Sequence, residues 1–156
     1  MPDKSQITAA IQQGIDDVTA TFSNLSDEQL ATQIHADDGG WTARDLLAHL
    51  AGREQVYAMM QQVAAGGENP FTKVTNFNDF NDARVTDRQG KSRNELLAEF
   101  RAVHEGLLAQ VQAMSEEQLA GTVNLGARTP TLGDLMYASG GTHSSNHAKE
   151  VSQVLG

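Results

Sequence analysis

Apolar residues recur at steps of three and four through four long segments of this chain, and no segment alternates apolar with polar. Ile7, Ile11, Ile15, Val18, Phe22 and Leu25 lay one stripe along a first helix. Leu46, Leu50, Tyr57, Met60 and Val63 trace a second, interrupted by Arg53. Leu96, Phe100, Val103, Leu107, Val111 and Met114 give a third, and Leu132, Met136, His143, His147, Val151 and Val154 a fourth. Stripes of this kind must be buried against one another, which predicts an all-α antiparallel four-helix bundle. At 156 residues, positions 1–156 fit one domain with a core of its own.

Start signals agree with the stripes. Thr42 to Asp45 and Thr131 to Asp134 each set a hydroxyl at the N-cap and a carboxylate three residues on; Ser26 to Gln29 and Ser115 to Gln118 do the same with an amide before short helical turns. The four signals form two pairs at one common offset, so the chain reads as two similar helix-pair halves. Between residues 66 and 91 the pattern lapses, and a loop that long predicts a short helix or lid, centred on Asn78 to Arg88 and anchored by Phe77 and Phe80.

Twenty acidic against eleven basic residues leave a charge of −9, which opposes a polyphosphate backbone and an anionic membrane surface. Neither nucleic acid nor membrane is an expected partner; a small-molecule substrate is. There is no cysteine, so any thiol chemistry must use a borrowed thiol. With no long apolar run and no basic leader before one, a cytoplasmic protein is expected.

The histidines carry the chemistry. His143 and His147 lie one turn apart, and His49 falls on the Leu46, Leu50 and Arg53 face, so the three read as facing one core. Neutral imidazoles from two helices can cap one face of a divalent transition metal such as zinc, nickel, iron or manganese and leave positions open. The alternative is a set of hydrogen-bonded core histidines around ordered water. Asp45, Asn146 and Glu150 stand three or four residues from these histidines and are candidates to orient them, with capping the simpler role for Asp45. Arg53 suits an anionic group beside the ion or, equally, an interhelical salt bridge. His35, in a polar loop with Asp37 and Asp38, reads as a surface residue, and His104 as a residue of the core or its margin. A closed structural zinc site would need a fourth ligand, for which only His104 or Glu150 offers itself.

Gly40-Trp41-Thr42-Ala43-Arg44-Asp45-Leu46-Leu47-Ala48-His49-Leu50, together with His143-Ser-Ser-Asn-His147 and Phe80-Asn81-Asp82-Ala83-Arg84, resembles the DinB-like (YfiT-like) superfamily of four-helix bundles. That superfamily takes in thiol-dependent transferases and isomerases. The resemblance covers nearly the whole chain and implies a dimeric bundle in which His49, His143 and His147 hold a divalent metal. It further implies an S-transferase or detoxification enzyme with a low-molecular-weight thiol cosubstrate; the rivals are a metal-dependent hydrolase and a non-catalytic helical binding or stress protein. Two departures stand out. The chain ends at Gly156, without the additional C-terminal domain of mycothiol-dependent maleylpyruvate isomerase, and Gly140-Gly141 is expected to loosen the last helix by roughly 1 kcal/mol per glycine relative to alanine.

Overall fold

Five helices begin at a reciprocal capping box, in which the N-cap side chain accepts the amide three residues on and that residue's side chain accepts the N-cap amide in return. These are α1 (Lys4–Phe22), α2 (Asp27–Leu30), α3 (Ala43–Ala51), and two later helices capped by Ser115 and Thr131. Those two are α7 (Glu116–Leu119) and α8 (Leu132–Tyr137), and the remaining helices of the computed structural model, which describes residues 1–35 and 40–156, are α4 (Glu54–Ala64), α5 (Phe77–Thr86), α6 (Arg93–Ala113) and α9 (His143–Leu155). A π-helical turn, Ala138–Thr142, joins α8 to α9, and a short 3-10 turn, Pro70–Lys73, follows α4.

The four expected helices are present, two of them in altered form. The second breaks at Gly52-Arg53 into α3 and α4, where the crossing segment approaches so closely that a Cβ on Gly52 would lie 3.1 Å from Arg84 Cβ. Within the bundle, α1 packs along α6 and α9, α3 packs on α6, and α8 on α1. Their interior is built from Ile7, Ile11, Val18, Phe22, Leu46, Leu50, Leu96 and Phe100, all fully buried. No helix among the described residues is long and apolar enough to cross a membrane.

The two halves repeat more fully than the capping signals alone indicate. An isolated antiparallel bridge joins Gln33 to Thr42 in the first half, and its counterpart joins Thr122 to Thr131 in the second. The same offset carries the N-cap of α1, Asp3, onto that of α6, Ser92. Each half is thus a long helix, one short turn, a pinched loop and a second helix.

The segment between α4 and α6 holds the expected short helix as α5, but its anchor differs. Phe77 is 49% exposed, and it is Phe71 and Val85 that are buried, with Phe80 half-buried under the Arg84 guanidinium at 4.2 Å.

The glycine pair also differs from expectation. Gly140 and Gly141 are buried in the π turn, where α1 crosses so closely that a Cβ on Gly141 would stand 2.7 Å from both Ala10 Cβ and the Ala10 carbonyl carbon. Backbone atoms cannot yield as a side-chain tip can, so glycine here permits packing rather than loosening it. Gly141→Ala is expected to cost about 3 kcal/mol, or roughly 6–12 °C in Tm for a chain of this size. A thermal melt unchanged within a degree would show that α1 and the π turn separate freely.

Candidate metal centre

One turn of π helix fixes which residues of α9 face the core. Ser144, Ala148 and Val151 form its buried line against α1, while Val154 is 51% exposed. His143 and His147 therefore do not continue the core stripe as expected. They sit one position to its side, half-buried, and face the cleft between α9 and α3. Small residues on the buried line let α9 approach α1, and the histidines flank that contact.

From the last turn of α3, His49 enters the same cleft and is 5% exposed. His49 Nε2 lies 3.4 Å from His143 Nε2, which lies 3.1 Å from His147 Nε2. Two nitrogens each bound at about 2.0–2.1 Å to one ion stand roughly 2.9–3.4 Å apart at octahedral to tetrahedral angles, so the spacing fits a shared cation. Proton bookkeeping points the same way. His147 Nδ1 donates to Glu150 Oε2 at 2.8 Å, which leaves its Nε2 as a bare lone pair turned toward the other two rings. His143 Nδ1 is buried without a partner, so that ring has no hydrogen bond outside the cluster among the described residues.

Burial, followed by the Arg53 charge, pushes His49 down to about 3 and His143 to about 2. His147 is lowered too, again mainly by burial, against the opposing pull of Glu150. All three are held in the neutral form that a metal ligand requires.

Arg53 stands at the break between α3 and α4 with its Nε buried and unpartnered, and its guanidinium is 5.4 Å from the centre of the Tyr57 ring. It forms no interhelical salt bridge among the described residues. Of the candidates to orient the histidines, Glu150 does so, Asp45 instead caps α3 by accepting the Thr42 amide at 3.0 Å, and Asn146 is exposed with no side-chain bond.

Two contributors escaped the sequence reading. Trp41 lays its ring 5.0 Å from that of His49, and its signal was its place just before the α3 N-cap. His35 is not a surface residue: its Nε2 is 2.7 Å from Glu150 Oε2 and its ring 5.8 Å from that of His147. Asp37 and Asp38, read beside it, lie outside the described residues. His104 resolves into the core, fully buried, with Nδ1 donating to the Phe100 carbonyl at 2.8 Å. The Tyr57 hydroxyl lies 2.9 Å from both His104 Nε2 and the Ser139 carbonyl in the π turn, so its one proton serves two acceptors.

Three imidazoles thus converge from two helices of the bundle, one of them behind a tryptophan and a capping box, and the chain is of the DinB-like, YfiT-like class. Residues 11–138 match the family described as mycothiol maleylpyruvate isomerase N-terminal domain, and the chain belongs to that family. No curated protein matches it in sequence. Among solved structures it is similar to YfiT from Bacillus subtilis, described as a probable metal-dependent hydrolase with an unusual four-helix bundle topology. That likeness has a TM-score of 0.74 at 17% identity over 96% of this chain and 84% of the other. It is also similar to the mycothiol-dependent maleylpyruvate isomerase, with a TM-score of 0.71 at 14% identity. There it covers 96% of this chain but 58% of the other, so it spans little more than half of that enzyme.

Proposed function

We propose that this chain is a divalent-metal-dependent enzyme that uses a low-molecular-weight thiol as cosubstrate, with His49, His143 and His147 as metal ligands. The observation that carries the reading is the meeting of three neutral imidazole nitrogens at one point, beside an arginine with no anionic partner among the described residues. A divalent ion held there supplies a Lewis acid that lowers the proton affinity of a thiol or a water. Imidazole donors suit zinc, nickel and iron, and affinity order favours nickel or zinc.

The chain's own residues do the rest. Glu150 holds the His147 ring in one tautomer, and the Trp41 ring shields His49 from water. The guanidinium of Arg53, with no ion-pair partner among the described residues, binds a carboxylate of the cosubstrate and so orients its sulfur, while α5, packed on α3, lines the approach with Arg84 at Gly52. A chain without cysteine has to take its sulfur from outside, and the family's description names a mycothiol enzyme. One observation favours water instead of thiol: the Bacillus subtilis neighbour is described as a probable hydrolase.

Cobalt(II)-loaded protein separates the two. Titration with mycothiol, bacillithiol, glutathione and coenzyme A is expected to raise a near-ultraviolet absorption band for at least one thiol. Arg53→Ala is expected to weaken that thiol's binding about 10-fold or more, the worth of a charge-assisted hydrogen bond. If no thiol changes the spectrum and the metal-loaded protein hydrolyses an ester or amide, the hydrolase reading replaces this one.

A further inference from the structure

The pinched loop of the first half does something that its counterpart in the second half does not. Its stem is closed by the Ile34 amide on the Trp41 carbonyl at 2.9 Å, the His35 amide on the same carbonyl at 3.3 Å, and the Ala43 amide on the Thr32 carbonyl at 3.0 Å. This stem fixes His35 and Trp41 on either side of the histidine cluster, one against His147 and the other against His49. At the common offset the second half has Asn124 and Pro130. The Asn124 side chain there accepts the Gly126 amide of its own turn, and its carbonyl accepts from the Asn69 side chain. The imidazole at position 35 is therefore not a demand of the repeated loop.

Its contact is specific. A single carboxylate oxygen, Glu150 Oε2, receives His147 Nδ1 at 2.8 Å and His35 Nε2 at 2.7 Å. An ionised carboxylate can only accept, so both rings must present N–H to it, and the His147 tautomer is fixed with Nε2 bare. Glu150 alone is a flexible side chain on the exposed side of α9, with 42% of its side-chain area in solvent. It would be free to swing away from His147 without a second donor to hold it.

We infer that His35 is a positioning residue for the metal centre, acting through Glu150 to lock the His147 ring with its Nε2 directed at the ion. The inference rests on the metal reading above. The rival use of the same trio, a second ion among His35, Glu150 and His147, would need His147 to give up both ring protons, whereas hydrogen bonds need no such loss.

The test is zinc affinity, measured by competition with a chromophoric chelator on metal-depleted protein. His35→Ala is expected to loosen zinc about 10-fold or more, the usual effect of removing a hydrogen-bonded support of a ligand. Glu150→Ala should loosen it at least as much, and the double variant little further than Glu150→Ala, because the support inferred for His35 runs through that carboxylate. His35→Gln, whose amide can still donate, should recover most of the affinity and the visible cobalt(II) spectrum that His35→Ala shifts. Circular dichroism of the metal-free variants checks that all are folded. Zinc bound by His35→Ala within twofold of the unaltered protein overturns the inference, as do fully additive losses in the double variant. So does a second zinc per chain that disappears with His35. An unaltered protein that binds no zinc at all overturns the metal reading itself, and the inference with it.

Discussion

Replacing His143 and His147 together by alanine is expected to abolish stoichiometric zinc or nickel binding while leaving the bundle folded. Structural zinc sites with four ligands are worth roughly 10–16 kcal/mol, about 3 kcal/mol per ligand. Losing two therefore weakens the site by a factor on the order of 10⁴. The fold should survive, because the line that α9 buries against α1 is Ser144, Ala148 and Val151, and the histidines lie to its side. Asn146→Ala, an exposed change on the same helix, should leave metal content unchanged. Elemental analysis of untagged protein, paired with circular dichroism, reads both outcomes. Full metal occupancy in the double variant would remove these residues from any metal site.

That argument depends on a helix phase the sequence could not show. Its stripe runs through Met136, His143 and His147 by simple steps, and large apolar side chains are the natural guide to a buried face. On α9 the guide fails because the closest contact is made by the smallest residues: Gly14 of α1 faces Gly141 and Ser144, and Gly141 faces Ala10. Serine and alanine have no hydrophobic signature strong enough to mark such an approach, and a π turn shifts the helix phase without any cue in composition. Even so, the pairing of His143, His147 and His49 was legible, since residues four apart share a side of a helix in either phase. Glu150 was legible for the same reason, three residues after its histidine. His35 was not, because it reaches the site through the tertiary placement of a loop, closed by a bridge between Gln33 and Thr42, and local spacing says nothing of where a loop will lie. The bundle itself was legible where local and global signals agreed, in capping boxes followed by stripes. It was misread at Gly52-Arg53, where the helix breaks against the closely packed Arg84 and Arg88 although its apolar pattern continues.

Acid is expected to unfold the metal-free protein near pH 5. Four buried or half-buried histidines are held neutral, each chiefly by burial and with Arg53 adding to it: His104 at about 4, His49 at about 3, His143 at about 2, and His147 below its ordinary value. In the unfolded chain each takes up a proton near pH 6.5. The unfolded state thus binds more protons throughout the window beneath 6.5, so their full contribution to stability is present above that pH and drains away as the pH falls toward the folded values. At pH 5 the loss is about 2 kcal/mol for each of His104, His49 and His143, or about 6 kcal/mol for the three, with His147 adding in the same direction, against roughly 5–15 kcal/mol for a whole domain. Zinc should lower the midpoint, since an ion that binds the folded cluster and not the open chain stabilises it by mass action. Far-ultraviolet circular dichroism from pH 7.5 to pH 4, with and without zinc, measures both. A metal-free chain that keeps its full helical signal at pH 4 would mean that these histidines take up protons without unfolding, so that the cleft opens to water instead of keeping the imidazoles dry.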